Sequence, residues 1–295
     1  VTESLDHHYV PRCLFRPWED DNRKVWVYEK RGSRVLPPYR QSTKVICVER
    51  ELYSYTDSVP EDRRNLIEKN FFSAVDGAAA KVIRKLIKLD SNLSAEESSA
   101  FATFIASLRV RTPEFFTAQS REGEEKFRRI LSDKSKLKPE EIEALHGKTL
   151  LEIVEEKNPT LIPNYPKEII INTLSGRLGE RVFNAKWKVR RVNCNEFDFL
   201  LSDRPLVLAN GENRGDFLFG LPISPKHVFF AANNENFLEK IDACTPEELV
   251  QKMNISVVQQ AKRKAFAQSK AHKMRFFENR LGTQHYILPF AEITV

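Results

Sequence analysis

Lys186-Trp187-Lys188-Val189-Arg190 decides the fold. It follows directly on a helical pattern running from Pro166 to Phe183, and in it the apolar period drops from helical spacing to two. Downstream, residues 196–202, Leu206-Val207-Leu208, residues 217–221 and residues 227–232 read as further short strands joined by short loops. Upstream, Lys24-Val25-Trp26-Val27-Tyr28 and Lys44-Val45-Ile46-Cys47-Val48 are β-branched and aromatic runs, with Gly32 and Pro37-Pro38 breaking the chain between them. The stretch between these β regions is helical. Ser58-Val59-Pro60-Glu61 reads as a capping box, and Leu66, Ile67, Phe71, Val75, Ala79, Val82, Ile83 and Leu86 continue it, with Gly77 as the point of bending or interruption. Ser94 with Glu97, Thr112-Pro113-Glu114 and Lys138-Pro139-Glu140-Glu141 start three more helices. Residues 122–138 are charge-rich and read as a solvated face plus a linker. Thr245-Pro246-Glu247-Glu248 opens a closing helix expected to reach about Lys273, with Leu249, Met253, Val257, Ala261 and Ala265 on one face. The order predicts an α+β protein, with an antiparallel sheet from N- and C-terminal segments and a central helical bundle. It reads as a single domain over 1–295: extended over 1–55, helical over 56–184, then strands and a closing helix over 185–295.

Composition narrows the classes. Hydrophobic residues make up 41 % of 295, enough for a sizeable core and too many for a disordered chain. Ten glycines are too few for glycine-rich phosphate loops or collagen repeats. A balance of 47 basic to 41 acidic residues permits an anionic partner without requiring one. No run approaches the ~20 apolar residues of a membrane-spanning helix, and residues 1–18 lack the apolar segment of a signal peptide. Cys13, Cys47, Cys194 and Cys244 are widely spaced and read as reduced thiols in a cytoplasmic protein. The HExxH, GxSxG, Walker A and GxGxxG patterns are absent.

The least ordinary string is His7-His8-Tyr9-Val10-Pro11-Arg12. Pro11 holds Val10 extended, and in an extended segment His7 and His8 point to opposite sides. One imidazole then faces a site and the other fixes the segment. Histidine suits acid–base work and metal binding near neutral pH; the same pair also reads as surface histidines near a terminus. Asp203, in Ser202-Asp203-Arg204-Pro205, lies between two apolar runs, where a carboxylate can orient a histidine, bind a metal or cap a turn. Glu68 flanks an apolar helical stripe, Arg109 and Arg111 end the second helix, and Asn254 borders the apolar face of the last one. Lys186, Lys188 and Arg190 alternate onto one strand face, and a later cluster holds Lys262, Arg263, Lys264, Lys270, Lys273 and Arg275. Such strips suit a nucleic-acid backbone and also suit a solvated face. Arg280 and His285 have the R-x4-H spacing of HEPN ribonucleases, with Gly282 and Thr283 between them arguing against a helical setting.

Taken in order, these strings resemble the HHYVP-motif family, a mostly bacterial domain of unknown function. The resemblance rests on His7 to Trp18, Leu66-Ile67-Glu68-Lys69, Phe104 through Pro113, Phe199 through Pro205, Gly220 through Pro225, and Asn254 with Ala261 and Phe266. Cys13, Pro17 and Arg204 depart from its usual residues. The family supplies no reaction. It does imply that His7, His8, Glu68, Arg109, Arg111, Asp203 and Asn254, scattered along the chain, converge on one folded site.

The expectation is therefore a phosphodiester hydrolase, an RNA or DNA nuclease acting as a bacterial toxin or anti-phage effector. His7 or His8 would be base or metal ligand, and Asp203 and Glu68 ligands or orienters. Arg109 or Arg111 would stabilise the phosphorane. Lys186, Lys188, Arg190 and Arg12 would hold the nucleic acid, and any divalent metal would sit on His8 and Asp203. The alternative is a non-catalytic nucleic-acid or protein binding module in which the HHYVP segment is a structural clasp.

Overall fold

The computed structural model describes residues 5–56, 58–194, 197–209 and 216–284. The N-terminal part supplies β1 (Asp6–His8), α1 (Arg12–Phe15), β2 (Lys24–Arg31), β3 (Arg34–Val35), β4 (Tyr39–Ser42) and β5 (Val48–Arg50). The middle holds α2 (Glu61–Arg64), α3 (Ser73–Ile87), α4 (Ala95–Val110), α5 (Pro113–Ser132), α6 (Pro139–Ala144), α7 (Leu150–Lys157) and α8 (Leu161–Phe183). Then follow β6 (Lys186–Arg191), β7 (Leu201–Ser202), β8 (Val207–Ala209), β9 (Leu218–Ser224), β10 (His227–Ala232), α9 (Glu235–Ala243), α10 (Pro246–Gln260), β11 (Lys264–Ala267) and α11 (Met274–Glu278).

The fold is α+β with antiparallel sheets. One sheet has the order β6-β10-β9-β8. A second runs β3-β2-β11-β7, with β4 also on β2, so N- and C-terminal segments share it; Val27 lies opposite Phe266. β1 pairs with β5 alone. Side-chain alternation along β10 divides two cores. Phe229 and Ala231 face the helices, where Phe229 meets Phe101 of α4 edge-on at 5.1 Å. Val228, Phe230 and Ala232 face α10. Each such aromatic, fully buried, contributes about 1.5–3 kcal/mol. α4 is buried from Phe101 to Val110 except at half-buried Thr103, packed between α3 and α8. α5 comes so close to α8 that a Cβ on Gly123 would stand 2.9 Å from Pro166 Cβ. A third core, holding Tyr53, Ile67, Phe72, Val110 and Phe116, lies beneath the residues considered below. Among the described residues, no helix is long and apolar enough to cross a membrane.

Several elements differ from expectation; α8, expected from Pro166, begins at Leu161, so that Pro166 lies in its second turn. The closing helix stops at Gln260, and Lys264–Ala267 is a strand inserted between β2 and β7. Small, apolar Ala265 and Ala267 fit that central position as well as they fit a helix stripe, and sheet pairing wins. The run at 44–48 turns instead of extending: Cys47 takes φ +54° and only Val48 enters a strand. At 197–202 only Leu201–Ser202 pairs with a neighbouring strand, because Phe199 bonds Pro225 O and Trp18, and Leu200 bonds Asn254; Glu196 lies outside the described residues. Finally, α2 begins after Pro60 with no side-chain cap and ends at Arg64. The irregularity in this helical stretch is a π turn at Glu68–Phe72, while Gly77 sits inside α3.

Candidate functional site

β1 splits the two histidines. His7 is fully buried and its ring is fully engaged. Nδ1 accepts from the Tyr53 amide at 3.0 Å, so Nε2 carries the proton and donates to Asn65 Oδ1 at 3.3 Å. Asn65 Oδ1 also accepts from the Ser54 hydroxyl, and the His7 ring stacks on Tyr53. Burial lowers the His7 pKa, which suits a neutral ring tying β1 to the 53–65 segment.

His8 faces the other way and is half-buried. Its Nε2 is buried and bonded to nothing. Burial and the Arg12 guanidinium push its pKa down, opposed by the carbonyls of Thr43 and Lys44 and by the charge of Asp76. Glu68 opens the π turn, whose extra residue re-aims side chains relative to a regular helix. Its Oε2 is also buried without a partner. Burial raises the Glu68 pKa to about 7, with Arg111 opposing and Asp76 reinforcing. The carboxyl is therefore divided between acid and carboxylate near neutral pH.

Arg111 and Asp76 tie this region together. Arg111 is fully buried. Its Nη1 and Nη2 donate to the Asp76 carboxylate at 3.1 and 2.6 Å, and Nε donates to Ser107 Oγ at 3.2 Å. The guanidinium lies 4.4 Å over the Phe72 ring. The Tyr53 hydroxyl donates to the Arg111 carbonyl at 2.6 Å, satisfying a carbonyl left open by the end of α4. Asp76 escaped the sequence reading. The available signal was a lone acid among Phe71, Val75 and Ala79, two helical turns beyond Glu68.

Other expected residues lie elsewhere. Asp203 is buried, and its oxygens accept from the amides of Lys262 (2.8 Å), Arg263 (2.8 Å) and Lys264 (3.0 Å), fixing the entry to β11. Burial pushes its pKa up against those three bonds. Asn254 accepts from the Leu200 amide and donates to Asp198 O, both at 2.8 Å. Arg109 is buried in α4. Arg12 is exposed beside His8 and joins that region. The strand cations are paired: Lys186 with Glu235, Lys188 with Asp242, and Arg190 with Asp242 and Ile241 O of α9. Among the described residues, no three His, Cys, Asp or Glu side chains form a group able to hold a metal ion. His285 lies outside the described residues.

Asp76, ion-paired with Arg111, acts electrostatically on both His8 and Glu68, and Arg12 acts on His8; His7 joins this region through Tyr53, while Asp203 and Asn254 bond elsewhere. No curated protein and no solved structure matches the chain. One family model does, and its match spans the β1 histidines, the Glu68 turn and the Asp203 network alike. On that match, over residues 6–271, the chain belongs to the family described as Protein of unknown function (DUF4238).

Proposed function

We propose that the chain cleaves phosphodiester bonds in nucleic acid, with RNA as the substrate and His8 and Glu68 as an acid–base pair. One observation carries this reading. Both His8 Nε2 and Glu68 Oε2 are buried titratable atoms without a hydrogen-bond partner, while the Arg111 and Asp76 side chains that act on Glu68 bond each other. A histidine held neutral accepts a proton, and a carboxyl with its pKa near 7 supplies one. RNA suits such a pair because its own 2′-hydroxyl is the nucleophile. His8 takes the 2′-hydroxyl proton as the 2′-oxygen–phosphorus bond forms. The phosphorus–5′-oxygen bond breaks, and Glu68 protonates the departing oxygen, leaving a 2′,3′-cyclic phosphate and a 5′-hydroxyl. Arg12 supplies exposed positive charge beside His8 for the phosphate. Arg111 is wholly enclosed and acts as a positioning residue through Asp76.

The test is cleavage of end-labelled tRNA, bulk RNA and plasmid DNA, with Mg²⁺, Mn²⁺ or EDTA. RNA cleavage that survives EDTA and falls at least about a hundredfold in His8→Ala and Glu68→Gln supports the proposal. Undiminished cleavage by His8→Ala, or cleavage of DNA alone, overturns it. Such an activity suits a bacterial toxin or phage-defence effector, and growth arrest on expression that depends on His8 is the cellular counterpart.

The bonding of His7 favours a second reading, a binding module whose HHYVP segment is a clasp. A protein that cleaves nothing and melts early in both His7→Ala and His8→Ala supports that reading instead.

A further inference from the structure

We propose that the cavity between α10 and α11 binds a nucleotide unit, with its base on the Phe197 ring and its phosphate against Lys273, Arg275 and Arg280. The cavity measures about 570 Å³ and is also lined by Asn254, His272 and Phe276. That volume is in the range of small-molecule sites. It shares no residue with the His8 region, so the proposal stands apart from the reading above.

The aromatic platform is built and braced. Phe197 is 38 % exposed, so part of its ring is open to a ligand. Its inner face stacks on His272, with centroids 5.6 Å apart and planes 28° from parallel. His272 is buried and meets Phe277 edge-on at 6.2 Å, and Phe277 in turn stacks on Tyr28 at 3.7 Å. Asn254 anchors the adjoining backbone through Asp198 and Leu200. The Phe197 ring is therefore held in place with one face open. Burial takes the His272 pKa down to about 4, so the platform itself carries no charge at neutral pH.

The rim is cationic. Lys273 and Arg275 are exposed, and Arg280 lies 4.9 Å over the Phe276 ring. Among the described residues no acid forms an ion pair with any of the three, and Glu247 is the one acid in the lining. An open aromatic face beside surplus positive charge selects a ligand that is flat, aromatic and anionic. A nucleotide meets all three demands, whether free or as one unit of a single strand, where bases stack on aromatic side chains and phosphates meet cations.

The experiment is calorimetric titration of the full chain with AMP, with a pentadeoxyadenylate and with ribose 5-phosphate. AMP binding that weakens about tenfold or more in Phe197→Ala, recovers in Phe197→Tyr, and falls in Arg275→Glu assigns a free nucleotide. The same pattern with the oligonucleotide alone assigns a strand. Ribose 5-phosphate binding as tightly as AMP overturns the proposal. So does a wild-type protein that binds neither AMP nor oligonucleotide, or one whose binding is indifferent to both substitutions. Arg275 is exposed, so Arg275→Glu keeps the test valid if Phe197→Ala fails to fold. His8→Ala leaves the binding unchanged, which separates this site from the proposed cleavage site.

Discussion

Replacing Asp76 by asparagine tests whether the buried ion pair governs both stability and proton affinity around His8. Arg111 has no exposed side-chain surface and Asp76 retains 24 %, so the substitution strands a charge that water reaches only from the Asp76 side. Breaking one member of a buried pair costs about 3–5 kcal/mol. The asparagine oxygen keeps one acceptor, and Ser107 Oγ and the Phe72 face still serve the guanidinium. The lower end, about 3 kcal/mol, therefore applies. For a chain of this size that is a fall of roughly 6–12 °C in melting temperature, read by circular dichroism. Adding Arg111→Met removes the stranded charge and recovers much of the loss, since a buried pair exchanged for apolar groups is often near neutral. Losing the Asp76 charge also lowers the proton affinity of both Glu68 and His8, because that charge raises both pKa values. The pH profile of any activity shifts to lower pH on both limbs. A melting temperature within about 2 °C of wild type, with an unmoved pH profile, would refute the reasoning.

Glu68→Gln gains stability relative to wild type as pH rises. A carboxyl raised from 4.5 to about 7 binds its proton more tightly when folded, so wild-type stability falls between those pH values and is flat above them. At about 1.4 kcal/mol per tenfold change in proton affinity, the relative gain is roughly 3 kcal/mol, measured by urea unfolding at pH 4.5 and pH 8. His7→Ala strips the acceptor from the Tyr53 amide and the donor from Asn65 and costs about 2–4 kcal/mol, whereas His8→Ala, at a half-buried position and giving up only contacts with the Thr43 and Lys44 carbonyls, costs about 1 kcal/mol and shifts thermal melting by less than about 4 °C. Asp203→Ala orphans three amides at the start of β11, and a loss of at least about 3 kcal/mol is expected in denaturant titration. Trp18→Phe deletes the 3.0 Å bond to Phe199 O and leaves a gap where the larger, fully buried indole sat, and costs about 2–3 kcal/mol in the same titration.

What local chemistry specifies was readable from the residues. Ser94 and Glu97 form the reciprocal cap expected of them, as do Thr245 and Glu248. β10 spans the expected residues 227–232. Pro11 and an extended segment foretold opposed histidines, and His7 is buried where His8 is half-open. Features that depend on distant partners were not readable. Ala261 and Ala265 continue a helical stripe, and only pairing with β2 turns the second of them into strand. The π turn at Glu68 leaves no mark in composition. Asp76 acquires its meaning from Arg111, which lies on another helix. The Lys186, Lys188 and Arg190 strip looked like a free basic surface until Glu235 and Asp242 of α9 were seen against it.

The position of β11 also sets a timetable for synthesis. β2 emerges early from the ribosome, yet one of its edges stays open until Lys264–Ala267 arrives. At about 5–20 residues per second, that interval is on the order of 10–50 s. The residues around His8, Glu68, Asp76 and Arg111 are all made well before then. The nascent chain thus holds its candidate chemistry early, beside an uncapped strand edge that invites chaperones or mispairing. Any shortening of the chain before Lys264 makes that transient exposure permanent.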